Sequence, residues 1–235
     1  MAIDSIASRL FSQARAIPNH SAYFVKSGEE WKSTSWNDYA AEVRTAARAL
    51  ISLGLEPGES ACILGFNRPE WVIFNVGALA AGGAPAGIYT TCSPNEVQYI
   101  VDHSESKVVL VENDAQWQKL NEERKNLPKL KHVVVMEGGE DIDDPLVMSW
   151  DAFLAHAEST PESAVDDRVE NLDNDATATL IYTSGTTGPP KAVMLSHQNL
   201  IWTASIAREL VSSSTEDCSL SYLPLSHIAE QMFTI

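Results

Sequence analysis

The chain has 235 residues, 44% of them hydrophobic, and carries 16 basic against 32 acidic side chains for a net charge of -16. That length and apolar content are enough to bury the core of one large or two small domains, which excludes a disordered chain. The acidic balance opposes nucleic-acid phosphates and anionic lipid unless a local basic patch intervenes, and the sequence contains no such patch.

In residues 4–16 the apolar positions Ile6, Ala7, Leu10, Phe11 and Ala14 recur at helical spacing, with Asp4 or Ser5 placed to cap, which predicts a surface helix. Residues 22–26 and 30–34 flank Ser27-Gly28 as a short hairpin. Ser35 then caps a long helix that stops near Gly54. Short apolar runs next alternate with helical segments: strands at 60–64, 84–88, 107–111 and 132–135, and helices at 69–81, 93–103 and 115–125. This alternation implies βαβ units and a mostly parallel sheet covered on both faces, so the expected class is α/β in layered α/β/α form.

The loop at 137–145 is acidic, with five carboxylates between Glu137 and Asp144. Their spacing fits no ligand loop for a hard cation, and the stretch reads as solvated. Polar residues with prolines nearby at Pro145 and Pro161 suggest a linker. The expected organisation is a first α/β subdomain at 1–160, a linker at 161–175 and the start of a second α/β subdomain at 176–235. In that last part the pattern predicts strands at 177–182, 192–195 and 219–223 and a helix at 196–211. Cys62, Cys92 and Cys218 are odd in number and lack CxxC spacing, so they indicate neither a disulfide framework nor a structural zinc site. A reducing, cytoplasmic setting fits. No signal design and no run of about 18 apolar residues is present, so any membrane contact is expected to be peripheral.

The strongest chemical signal lies between two predicted strands: Thr183-Ser184-Gly185-Thr186-Thr187-Gly188-Pro189-Pro190-Lys191. Glycines let the backbone approach a ligand and turn successive N–H groups toward an anion, hydroxyls add donors, and Lys191 adds a positive charge. In chemical terms this is a phosphate cradle. It is not the GxxxxGK[ST] loop of P-loop NTPases, because two residues separate Gly185 from Gly188 and Ala192 follows the lysine.

With Leu180-Ile181-Tyr182 before it and Val193-Met194-Leu195-Ser196-His197 after it, this loop resembles the phosphate-binding signature of the adenylate-forming (AMP-binding) superfamily. Further segments resemble long-chain fatty acyl-CoA synthetases of the bubblegum type: Ile63-Leu64-Gly65-Phe66-Asn67 with Glu70-Trp71, Gly82-Gly83 with Gly87-Ile88-Tyr89, Leu110-Val111-Glu112-Asn113-Asp114, and Ser221-Tyr222-Leu223-Pro224-Leu225-Ser226-His227-Ile228-Ala229. One departure is Ala192, where related loops usually carry glycine.

The resemblance implies that the chain is part of the large N-terminal domain of an acyl-adenylate-forming enzyme. Such an enzyme joins a fatty acid to the α-phosphate of Mg-ATP and then transfers the acyl group to CoA. It implies nucleotide contacts from Thr183, Ser184, Gly185, Thr186, Thr187, Gly188 and Lys191, with Lys191 also catalytic, and a place for His227 beside the acyl-adenylate. Without the resemblance His227 reads as a capping or core histidine, and Tyr222, Glu230 and Trp202 read as packing or surface groups. The family's acidic Mg²⁺ motif, ribose-binding aspartate, hinge and C-terminal lysine would lie past Ile235. The expectation is therefore a portion inactive by itself as a ligase. Another acyl- or aryl-AMP ligase, one that passes its product to a carrier protein, and a non-catalytic nucleotide- or acyl-binding module remain open.

Overall fold

The computed structural model describes residues 4–183, 188–215 and 217–235. Ser5 caps α1 (Ile6–Ala16) through a reciprocal pair with Ser8. The hairpin β1 (Ser21–Ser27) and β2 (Glu30–Ser35) turns at Gly28, whose φ of +65° suits a residue without Cβ. Ser35 then caps α2 (Trp36–Ser52). There follow β3 (Ser60–Leu64), α3 (Pro69–Ala80), β4 (Ala84–Ile88), α4 (Pro94–His103), β5 (Val108–Val111), α5 (Asp114–Glu122) and β6 (His132–Val135). The chain continues with β7 (Val147–Ser149), α6 (Trp150–Ala155), α7 (Ser163–Glu170), β8 (Thr177–Thr183), β9 (Lys191–Ser196), α8 (His197–Val211) and α9 (Ile228–Thr234).

Seven strands form one sheet in the order β7-β6-β5-β3-β4-β8-β9, parallel throughout except for β9, which runs antiparallel to β8. Every residue of β3, β4 and β5 is buried, as a parallel sheet covered on both sides requires. Alternate residues serve opposite faces: Ala61 and Ile63 pack with α1, α2, α3 and α6, whereas Cys62 and Leu64 pack with α4 and α5. Helix α3 is apolar on nearly all sides because it lies between the sheet and α2. At their crossing a Cβ on Gly77 would sit 3.0 Å from the Ala46 Cβ, so small residues set the approach of the two helices.

The α/β class and the mostly parallel sheet match the expectation. The division of the chain does not. Residues 161–175, expected as a linker, contain α7, which buries Val165 and docks through Arg44–Asp166 (2.7 Å) and Arg168–Glu56 (2.9 Å) ion pairs. Strand β8, expected to open a second subdomain, pairs in parallel with β4 and so extends the first sheet. A polar helix with one buried anchor leaves almost no periodic signal, which is why it reads as a linker.

Candidate functional site

The site is built where parallel strands end. In an α/β sheet, groups at the carboxyl ends of strands face outward along one rim, and the connections that follow them carry the chemistry. β8 ends at Thr183 and β9 begins at Lys191, and these two residues face each other across the antiparallel ladder. The Thr183 hydroxyl donates to the Lys191 carbonyl at 3.5 Å. Gly188 has φ +148°, in the region that glycine tolerates and other residues avoid. The Lys191 residue is exposed. Ser184, Gly185, Thr186 and Thr187, expected to contact phosphate, lie outside the described residues.

The root of this loop is anchored. Tyr182 is buried, and its hydroxyl lies 2.9 Å from His103 Nδ1 at the end of α4, with the two rings edge to face. Tyr99 stacks on the His103 ring, with ring centroids 5.4 Å apart. Burial holds the Tyr182 phenol protonated, well above its ordinary range.

A second element reaches the same rim from residues 221–227. The strand expected at 219–223 is not formed. Leu220 and Tyr222 stand 70% and 76% exposed, and side chains rather than a neighbouring strand satisfy the backbone. The Asn67 amide donates from Nδ2 to Leu223 O at 2.7 Å and to Ser221 Oγ at 2.8 Å, while its Oδ1 accepts from Leu225 N–H at 3.0 Å. Glu230 accepts from Leu223 N–H at 3.0 Å, and Gln231 donates to Leu225 O at 2.8 Å. The arm crosses β4 so closely that a Cβ on Gly87 would meet Ser226 Cα at 2.7 Å.

His227 ends this arm as the N-cap of α9. Its Nδ1 accepts from Ala229 N–H at 3.1 Å, which places the proton of a neutral ring on Nε2. The residue is exposed, so the ring offers a donor at the rim. Among the weaker candidates, Glu230 is buried and holds Leu223 and the Thr234 hydroxyl, whereas Trp202 and Tyr222 are exposed.

Sequence reasoning passed over the turn that supports the arm. Glu112, buried at the end of β5, accepts from Phe66 N–H at 2.9 Å and from Arg68 Nη1 at 3.0 Å. Arg68 also forks onto both oxygens of Glu70, and this acidic surround raises the pKa of the guanidinium above its ordinary value. A Cβ on Gly65 would lie 2.9 Å from Glu112 Oε2. The residues Gly65-Phe66-Asn67 and Glu112 stand in the segments that carry the family resemblance, but nothing in their types announces a contact across the fold.

An open cleft of about 670 Å³ adjoins Asn113, Asp114, Glu137 and Asp141. Its carboxylates oppose a polyphosphate. Among the described residues, no group of three or more His, Cys, Asp or Glu is placed to hold a metal ion.

Residues 10–235 match the family of AMP-binding enzymes. The chain belongs to that family. Among AMP-binding enzymes it is similar to the long-chain-fatty-acid–CoA ligase ACSBG2 of Homo sapiens, 42% identical over 212 residues that make up 89% of this chain and 32% of the relative. The Xenopus laevis ACSBG2 is 40% identical over 214 residues, 89% of this chain and 29% of the relative. The chain thus spans about a third of the length of the curated relatives it matches, on their N-terminal side. In fold it is similar to a solved structure described as a putative long-chain-fatty-acid CoA ligase from Rhodopseudomonas palustris, at TM-score 0.81 and 19% identity over 98% of this chain and 55% of that one. A long-chain-fatty-acid-CoA ligase from Archaeoglobus fulgidus gives TM-score 0.80 and 19% identity over 100% of this chain and 45% of that one. Among the described residues, no helix is long and apolar enough to cross a membrane.

Proposed function

We propose that these residues form the phosphate- and acid-binding part of a ligase that activates a long-chain fatty acid with ATP and passes it to CoA. The observation that carries the reading is that the strand ends Thr183 and Lys191 and the arm that ends in His227 belong to adjacent strands on one rim of one sheet. The similarity to long-chain-fatty-acid–CoA ligases supports the choice of acid.

In the first step a carboxylate oxygen attacks the α-phosphorus of ATP, the bond to the bridging oxygen breaks, and pyrophosphate leaves with the electron pair. An anion thereby approaches a polyanion, and the cost is electrostatic. The Lys191 ammonium offsets that repulsion and stabilises the departing pyrophosphate, with Thr183, Ser184, Thr186 and Thr187 hydroxyls and the Gly185 and Gly188 backbone as further donors. His227 donates from Nε2 to a carboxylate oxygen and orients the nucleophile. In the second step the CoA sulfur attacks the acyl carbon, the carbon–oxygen bond to AMP breaks, and the thiol proton leaves to solvent. Magnesium, when bound with the nucleotide, would neutralise phosphate charge in such chemistry.

The test is acid-dependent exchange of labelled pyrophosphate into ATP, measured on this chain and on its complete reading frame with acetate, benzoate and palmitate. Exchange that depends on palmitate supports the reading. Exchange with benzoate alone moves the substrate to aryl acids, and ATP binding without exchange by either protein would falsify the ligase assignment.

A further inference from the structure

We propose that Asn67 is a positioning residue for this reaction, holding the 221–227 arm so that His227 stays at the rim. The inference rests on the ligase reading and adds to it a residue that the loop and the histidine do not disclose.

Asn67 bridges 154 to 158 positions of sequence through three hydrogen bonds of 2.7 to 3.0 Å. Its partners are of opposite kinds. Leu223 presents a carbonyl and Leu225 an N–H, so the residue between them must donate and accept at once, which a primary amide does and a carboxylate does not. Those partners also fix the orientation of the amide, with nitrogen toward Leu223. The arm has no flanking strand to take its place, so releasing Asn67 leaves Glu230 and Gln231 as the remaining side chains, among the described residues, bonded to the backbone at 223–225.

The side chain can act as a fixed point because its own turn is fixed. Glu112, at the end of the central strand β5, takes the Phe66 N–H and the Arg68 guanidinium, which brackets Asn67 on both sides. On the arm, Leu225 and Ser226 are buried and the next residue is His227, whose backbone N–H donates to Pro224 O at 2.8 Å. A continuous set of contacts therefore runs from the sheet through Glu112, the turn and Asn67 to the histidine. A shift of about 1 Å in a positioned group costs on the order of a hundredfold in rate.

The experiment compares wild type with Asn67→Asp, which keeps the acceptor and loses both donors, and with Ser221→Ala, which removes one exposed partner. Amide hydrogen exchange is followed on this chain, and pyrophosphate exchange on the complete reading frame. For Asn67→Asp, opening of the 219–227 segment should become about tenfold more frequent while residues 60–64 and 108–111 keep their protection. The exchange kcat should fall about tenfold or more with KM for ATP within about twofold, and Ser221→Ala should shift both readouts in the same direction by less. Unchanged protection at 219–227, or an unchanged kcat, overturns the proposal. So does a loss of protection across the whole sheet with kcat and ATP affinity falling together, which marks a merely structural residue. A wild type without acid-dependent exchange removes the ligase reading and the catalytic purpose of Asn67 with it. The hydrogen-exchange arm would still report whether the residue secures the segment.

Discussion

Lys191 opens β9 with its side chain in solvent, so its charge can be removed without disturbing packing. Lys191→Ala is expected to slow acid-dependent pyrophosphate exchange on the order of a hundredfold, as loss of one preorganised electrostatic contact does. Stability, read as the thermal midpoint, should change by less than about 0.5 kcal/mol. His197 behaves differently. It is buried, its Nδ1 lacks a partner among the described residues, and burial lowers its pKa below the ordinary 6.5 against a smaller opposing pull from Asp173. The unfolded chain therefore takes up a proton below pH 6.5 that the folded chain resists, so stability is full above 6.5 and declines as the pH drops beneath it. The thermal midpoint of wild type should fall further between pH 7.5 and 5.5 than that of His197→Gln; equal falls would remove His197 as the cause. At this scale the sequence singled out Thr183, Gly188 and Lys191 by residue type and spacing, and His227 by resemblance alone. Asn67 and Glu112 stayed silent because their contacts join distant segments and leave no local pattern.

Among the elements, the buried strands were legible because a parallel strand covered on both sides is a continuous apolar run, as in Val108–Val111. Helix starts were legible where a capping residue announced them. Ser93 caps α4 reciprocally with Glu96, and Ser93→Ala should cost about 1 kcal/mol. For a chain of this size that is a fall of about 2–4 °C in the thermal midpoint. Besides α7, a misread element was 219–223, where Ser219-Leu220-Ser221-Tyr222-Leu223 alternates as a half-buried strand would. In the fold Leu220 and Tyr222 face solvent and the alternation serves no sheet. β7 and α6, at three and six residues, are too short to carry a period. The arm that replaced the expected strand depends on bare backbone at β4. Gly87→Ala puts a methyl where Ser226 Cα lies 2.7 Å away, and should destabilise by about 1–3 kcal/mol, as overpacking does. Its pyrophosphate exchange should fall by more than that of Ser93→Ala, because only the glycine change displaces the arm.

At the scale of the whole molecule, the seven-stranded sheet lies between two apolar layers. The larger is centred on α3, where Phe74 is fully buried and packs on Phe153 with ring centroids 5.6 Å apart. Phe74→Ala should cost about 3–5 kcal/mol by chemical denaturation, a cavity effect that acts far from the rim. Class and layering were readable at this scale because they follow from alternation alone, whereas the return of β8 to β4 is a long-range pairing that local pattern does not encode. That pairing has a metric consequence. The arm is seated on β4 and the loop springs from β8, and the two are adjacent strands. Strand spacing in a sheet is about 4.8 Å and varies little, because backbone hydrogen bonds set it. The sheet is thus a ruler. The separation between the histidine-bearing arm and the strand ends at Thr183 and Lys191 is graduated in whole strands, so drift in the surrounding helices can alter stability while leaving the gauge of the candidate site untouched.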